Sequence, residues 1–193
     1  MSYTDEEILK QRIGRKTAEM KGEENSEEEI KPQGEVLLKE TELYEGKLKI
    51  KLPEDAEALT EEGIRATHPH GNPPQHSYVS LNAGVSISFH HTITPLKETG
   101  VAGAAGFAGK FLEKNGAGVT VFGKKIISLG DKKLAVLEAV SRGMDGGVFN
   151  LFVYASMEDR LLLLNISMPA KEAEKKKKLA YEILESIEII EEP

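Results

Sequence analysis

The chain has 193 residues, a formal net charge of −7, and neither cysteine nor tryptophan. That length allows one domain of ordinary size plus a tail. The absence of cysteine excludes disulfides, thiolate metal sites and cysteine nucleophiles. An acidic chain with few aromatic residues also argues against a nucleic-acid surface, which needs clustered cations and stacking rings.

The first residues, MSYTDEEILKQRIGRKT, show no basic stretch followed by an apolar one, so no secretory signal is expected. The longest apolar run, Leu161–Leu164, falls far short of the roughly 20 residues that span a bilayer. A cytoplasmic protein without membrane insertion is the expectation. Thr4-Asp5-Glu6-Glu7 has the form of a capping box and predicts a short helix to about Met20. Residues 21–33, KGEENSEEEIKPQ, have the composition of a flexible linker. Residues 1–33 are therefore read as a helix and acidic linker, and residues 34–193 as a single domain.

From Glu35 to Leu52 the pattern is strand-like, with Leu48, Ile50 and Leu52 alternating with lysines until Pro53 ends the run. One helical turn is expected within Glu54–Ile64. The stretch RATHPHGNPPQH then reads as an exposed loop, because its prolines and glycine prevent regular structure. Ser77–Leu81 and Val85–His91 form a hairpin across Asn82-Ala83-Gly84.

Thr94-Pro95 is read as the cap and first residue of a helix that runs to about Lys114 and stops at Asn115-Gly116. Val119–Phe122 and Lys125–Leu129 are expected as short strands. Three apolar segments from Lys133 onward, separated by polar turns, predict an antiparallel meander. An amphipathic helix closes it, with Leu179, Ala180, Ile183, Leu184 and Ile187 on one face and Lys175–Lys178 toward water. Burying Leu179, Ile183, Leu184 and Ile187 contributes about 6–10 kcal/mol before chain entropy is counted. Strands joined by tight turns, with helices inserted rather than alternating, indicate an α+β fold with a mainly antiparallel sheet and helices packed on its faces.

This succession resembles the PsbP/DcrB-like superfamily over about Gly34–Ile190. The residues that carry the likeness are the lysine-flanked strand ending in Leu52-Pro53, the hairpin and long helix, GKKI at Gly123–Ile126, the apolar meander, and ILESIEI at Ile183–Ile189. The resemblance implies a PsbP-like α/β sandwich. It also implies a non-catalytic role, since members include extrinsic photosystem subunits, a nuclear-import cofactor and chaperones for secreted effectors. Many bacterial members are exported lipoproteins, but neither a signal nor a lipobox cysteine is visible here. The resemblance brings no catalytic residues with it.

All five histidines, His68, His70, His76, His90 and His91, lie in one span. His68, His70 and His90 are the candidates for a zinc, nickel or copper site. A proline-rich loop offers little rigidity, no HExxH spacing exists, and His90 and His91 point to opposite strand faces. Exposed, titrating histidines are the reading that the pattern favours.

Gly100, Gly103, Gly106 and Gly109 lack the strand and spacing of a phosphate loop. They read instead as a small helix face that lets the backbone approach the sheet, at about 3–4 kcal/mol of lost helix propensity. Lys175–Lys178 reads as a solvated face. Ser141 and Asp145 have no nucleophile elbow around them, and Arg142, Asp145 and Asn150 are polar residues near a loop.

The functional expectation is a non-enzymatic, protein-binding adaptor or chaperone-like domain without a cofactor, touching its partner through the sheet face or the groove beside the glycine-rich helix. The alternative is a small-ligand or metal-binding module that uses the histidine-rich region.

Overall fold

A computed structural model of the protein describes residues 36–68, 72–116, 118–143 and 146–190. The helix expected over residues 4–20 and the linker over residues 21–33 lie outside them. The chain divides into two units. One holds the described residues between 60 and 73, and the other holds those of 36–59 and 74–190.

In the first unit, α1 (Glu61–Thr67) starts where Thr60 accepts a hydrogen bond from the Gly63 amide through its hydroxyl, 3.2 Å away. That contact satisfies one of the amides a helix start leaves unpaired.

The second unit is built from strands. β1 (Leu38–Leu43) and β2 (Leu48–Pro53) form a hairpin, and β10 (Glu188–Ile189) joins β2 to complete a three-stranded sheet. The larger sheet has seven strands in the order β3-β4-β5-β9-β8-β7-β6. Its members are β3 (Glu57–Ala58), β4 (His76–Ser80), β5 (Val85–Pro95), β6 (Val119–Leu129), β7 (Lys132–Gly143), β8 (Gly146–Met157) and β9 (Arg160–Pro169). Among the described residues every strand pairing is antiparallel. Two longer helices, α2 (Val101–Asn115) and α3 (Ala173–Glu185), complete the α+β architecture.

The period of two sorts the strand residues between two cores. On β8, Phe149, Leu151, Val153, Ala155 and Met157 face the main core, while Phe152 and Tyr154 face a second, smaller one under α2. β9 and β7 follow the same rule, with Leu162, Leu164, Ile166, Leu134 and Val136 on the main side. Leu48, Ile50 and Leu52 of β2 join that core, as do Ala180, Ile183 and Leu184 of α3.

The predicted face of α3 is therefore the buried one, although Leu179 is only partly covered. Its lysine run is less free than the sequence suggests: Lys176 pairs with Glu172, Lys177 with Glu138 at 2.5 Å, and Lys178 with Glu182 at 3.4 Å.

Three sequence expectations are corrected. The segment from Glu35 to Leu52 is a hairpin, turned at Tyr44 and Glu45 with φ of 53° and 58°. Side chains other than glycine rarely signal such left-handed conformations. Thr94 and Pro95 belong to β5, which runs past an irregularity between His91 and Pro95, so Thr94 does not cap a helix. Instead a short 3-10 turn, Glu98–Gly100, leads into α2. The two strands expected over residues 119–129 are a single strand, β6, with a bulge between Val121 and Gly123.

Ile183 is fully buried in the main core. Ile183→Asp should abolish the cooperative thermal transition followed by far-ultraviolet circular dichroism, because a buried carboxylate has no partner there. Lys175→Gln on the exposed face should keep the wild-type transition.

Candidate functional site

Helix α2 is rich in alanine and glycine from Ala102 to Gly109, and this shapes the surface it presents. Val101, Ala105 and Gly109, one helical turn apart, lie against the sheet. Ala135, Leu137 and Tyr154 belong to the same small core, and α2 covers β6, β7 and β8. Its approach is fixed by hydrogen bonds from the Leu96 amide to the Asp159 carbonyl, 2.8 Å, and from the Ser156 hydroxyl to the Leu96 carbonyl, 2.7 Å. At its start both Glu98 carboxylate oxygens are buried without a hydrogen-bond partner among the described residues.

The glycines are not there to admit the sheet. A β-carbon at Gly109 would rest 3.6 Å from a Leu137 methyl, an ordinary contact, and one at Gly103 would meet nothing within 4 Å. Packing does not require Gly103, Gly106 or Gly109, yet each costs about 1 kcal/mol relative to alanine inside a helix. The helix is thus weaker than its environment demands.

Its outer face carries two aromatic side chains one turn apart. Phe107 and Phe111 are 72% and 55% exposed, and their rings stack with centroids 6.5 Å apart. Lys110 and Lys114 follow each of them by three residues and are also exposed. Large apolar side chains gathered in the open mark interaction surfaces more often than single ones do.

Beyond α2, β9 and β5 carry polar residues on the same sheet face: Asn165 and Ser167, and Ser86, Ser88 and His90. The Ser86 and Ser167 hydroxyls are 2.6 Å apart. Asn150 donates to the Ser141 hydroxyl, 3.1 Å, and to the Val148 carbonyl, 3.0 Å, and accepts from Asn165 at 3.4 Å. The Asn165 side-chain oxygen, Oδ1, is buried and unpartnered among the described residues. An apolar crest therefore stands beside a polar shelf. Ser141 meets an amide and a carbonyl rather than an imidazole, the arrangement of a structural hydroxyl. Asp145 lies outside the described residues.

His68, His76 and His91 each make local contacts. His68 Nδ1 lies 3.1 Å from the Thr67 hydroxyl and 3.3 Å from the Ile64 carbonyl, at the end of α1. His70 lies outside the described residues. His76 packs edge-on against Tyr44, with centroids 4.9 Å apart, and Tyr44 meets His91 in the same way at 5.7 Å. His91, its side chain only 8% exposed, has Nε2 2.9 Å from the Met157 carbonyl. Among the described residues no group of three or more His, Asp or Glu side chains is placed to share a metal ion.

Burial pushes the His76, His90 and His91 imidazoles below their ordinary value. For His91 the Met157 carbonyl opposes that shift without cancelling it. Burial also raises the Tyr44 hydroxyl to about 12.

No family model matches the sequence, and no curated protein matches it. Among solved structures, the chain is similar to the solution structure of the cyanobacterial PsbP protein CyanoP from Synechocystis, with a TM-score of 0.61 and 12% identity over 84% of this chain and 98% of that one. It is also similar to the Ran-binding protein Mog1p of Saccharomyces cerevisiae, with a TM-score of 0.49 and 15% identity over 81% and 97% of the two chains. A Pseudomonas aeruginosa protein of unknown function gives 0.46 and 10% over 81% and 98%. The chain has the PsbP-like fold, and that assignment rests on the first of these likenesses.

Two outcomes follow from the local chemistry. Gly103→Ala should raise the melting temperature by about 2–4 °C, since it restores about 1 kcal/mol of helix propensity in open space. Acidification should destabilise the fold. As pH falls through 6.5, the unfolded imidazoles take up protons before the folded ones, and the loss levels off below the folded values. The urea midpoint should be lower at about pH 5.5 than at about pH 7.5, a window in which most carboxylates stay charged. His91→Gln should shrink that difference.

Proposed function

We propose that the protein is a non-catalytic domain that binds a protein partner through the outer face of α2. The observation that carries this reading is the exposed, stacked pair Phe107–Phe111 on a helix left weaker than its packing requires. Aromatic anchors of this kind supply most of the energy of a protein interface. A helix low in propensity adjusts to a partner at small cost, and the step down to the shelf of Ser86, Ser88 and Ser167 gives a polar rim on one side.

Lys110 and Lys114 beside the two rings favour a partner whose apolar side chains are bordered by carboxylates. Residues 34–193 act as one domain in this reading, and residues 1–33 tether or recruit. The Ser141–Asn150 arrangement supports a role without nucleophilic chemistry.

A photo-crosslinking amino acid placed at Phe107 in cells that express the protein tests the proposal. One discrete partner should be captured there and not from position Lys175. A Phe111→Ser background should weaken capture about tenfold or more, with an unchanged melting temperature. Equal capture from both positions would overturn the reading.

A further inference from the structure

β6 is the outermost strand of the seven-stranded sheet and pairs only with β7 among the described residues. Edge strands present a row of backbone amides and carbonyls ready to pair with another chain, and most proteins disguise them. Beyond its bulge, β6 runs regularly from Gly123 to Leu129, each residue opposite one of β7 from Glu138 back to Lys132. Seven residues at about 3.3 Å each give an open ladder about 23 Å long.

The side chains along this ladder do not shield it. Lys124 is turned onto α2 and donates to the Ala102 carbonyl at 3.0 Å. Lys125 lies over the Tyr181 ring on α3, 4.4 Å from its centre. Glu138, which Lys125 also feels, already holds Lys177 at 2.5 Å and the Tyr181 hydroxyl at 2.6 Å. Burial works against the Glu138 carboxylate, but those two partners outweigh it and hold its carboxyl below the usual range. Its charge is therefore committed, and the two lysines leave a positive stretch at the edge of an acidic protein.

Apolar side chains flank the stretch. Phe122, 55% exposed, lies against Phe149, and Ile126, 40% exposed, stands on the α2 side opposite Ala135. Where the ladder ends, Leu129, Lys132, Ile187 and Ile190 line a depression of about 370 Å³ that Asp131, Glu185 and Glu188 also border, so the end of a segment that reaches it must be apolar rather than acidic.

We propose that the free edge of β6 from Gly123 to Leu129 binds an extended, acidic peptide segment of a partner protein by strand addition. The sheet is antiparallel throughout, so the segment runs against β6. It places an apolar side chain near Leu129, at the mouth of the depression, and carboxylates opposite Lys125 and Lys124. A second copy of the chain is a poor occupant. Full antiparallel overlap of Gly123–Leu129 with its own copy sets Lys124 against Ser128 and Lys125 against Ile127, so neither lysine meets a carboxylate and four cations gather on one short ribbon. This surface stands independently of the Phe107–Phe111 face, and either can fail without the other.

The probe is a synthetic peptide, acetyl-LVTVEET-amide, titrated into the full chain by calorimetry. It should bind at least about tenfold more tightly than acetyl-LVTVKKT-amide. Of two versions N-methylated on alternating residues, one should lose binding, because only alternate residues of an added strand pair with the edge. Hydrogen exchange should slow at amides within Gly123–Leu129 when the peptide is present.

Lys125→Glu should reduce the preference for the acidic peptide, whereas Phe107→Ser with Phe111→Ser should leave binding unchanged. The proposal is overturned by absence of binding, equal affinity for the two peptides, full binding by both methylated versions, or slowed exchange on α2 instead of β6. Self-association of the free chain through β6 would also overturn it.

Discussion

The fold depends on a sheet that is covered on both faces across β7 and β8. Alternation along β8 sends Leu151, Val153 and Met157 into one core and Phe152 and Tyr154 into the other, so a one-residue slip would exchange the two sets. That register fixes where α3 and β2 close the main core and where α2 must lie. It also accounts for the change in character across the second face. Under α2 the strands are apolar, and beyond it β9 and β5 turn to Asn165, Ser167, Ser86 and Ser88.

Against this rigid frame α2 is the exception. Its contact side is small and well fitted, but Gly103 and Gly106 face outward or toward a lysine, where alanine would serve the helix better. Local choices that oppose the fold without a packing reason are expected at functional positions. The two open features, the aromatic pair on α2 and the free edge of β6, adjoin each other because α2 lies over β6. Each asks for acidic chemistry in a partner, although they recognise it differently: one through side chains, the other through the backbone.

Much of this was legible in the residues. The meander and the face of α3 follow from apolar spacing alone, because burial on both sides demands long Val, Leu and Phe runs. The β1–β2 turn was hidden, since Tyr44 and Glu45 take left-handed conformations that only glycine or asparagine usually announces. Thr94-Pro95 misled because a cap-and-proline signature also suits a strand end; the tie between Leu96 and Asp159 is a tertiary contact without a local signal. The sequence pointed to the glycine helix but read a close approach to the sheet into it; that Gly109 leaves room for a β-carbon beside Leu137 is visible only with Leu137 in place. Phe107 and Phe111 could have been found by noting that they fall away from the Val101–Ala105–Gly109 line.

A loosely stabilised helix is thus displayed on a sheet covered from both sides. Hydrogen exchange of the free protein at neutral pH tests this most directly, because it reads the opening of each element separately. Amides of α2 from Ala105 to Lys114 should open far more readily than those of β8 from Leu151 to Ala155. Equal protection of the two would contradict it.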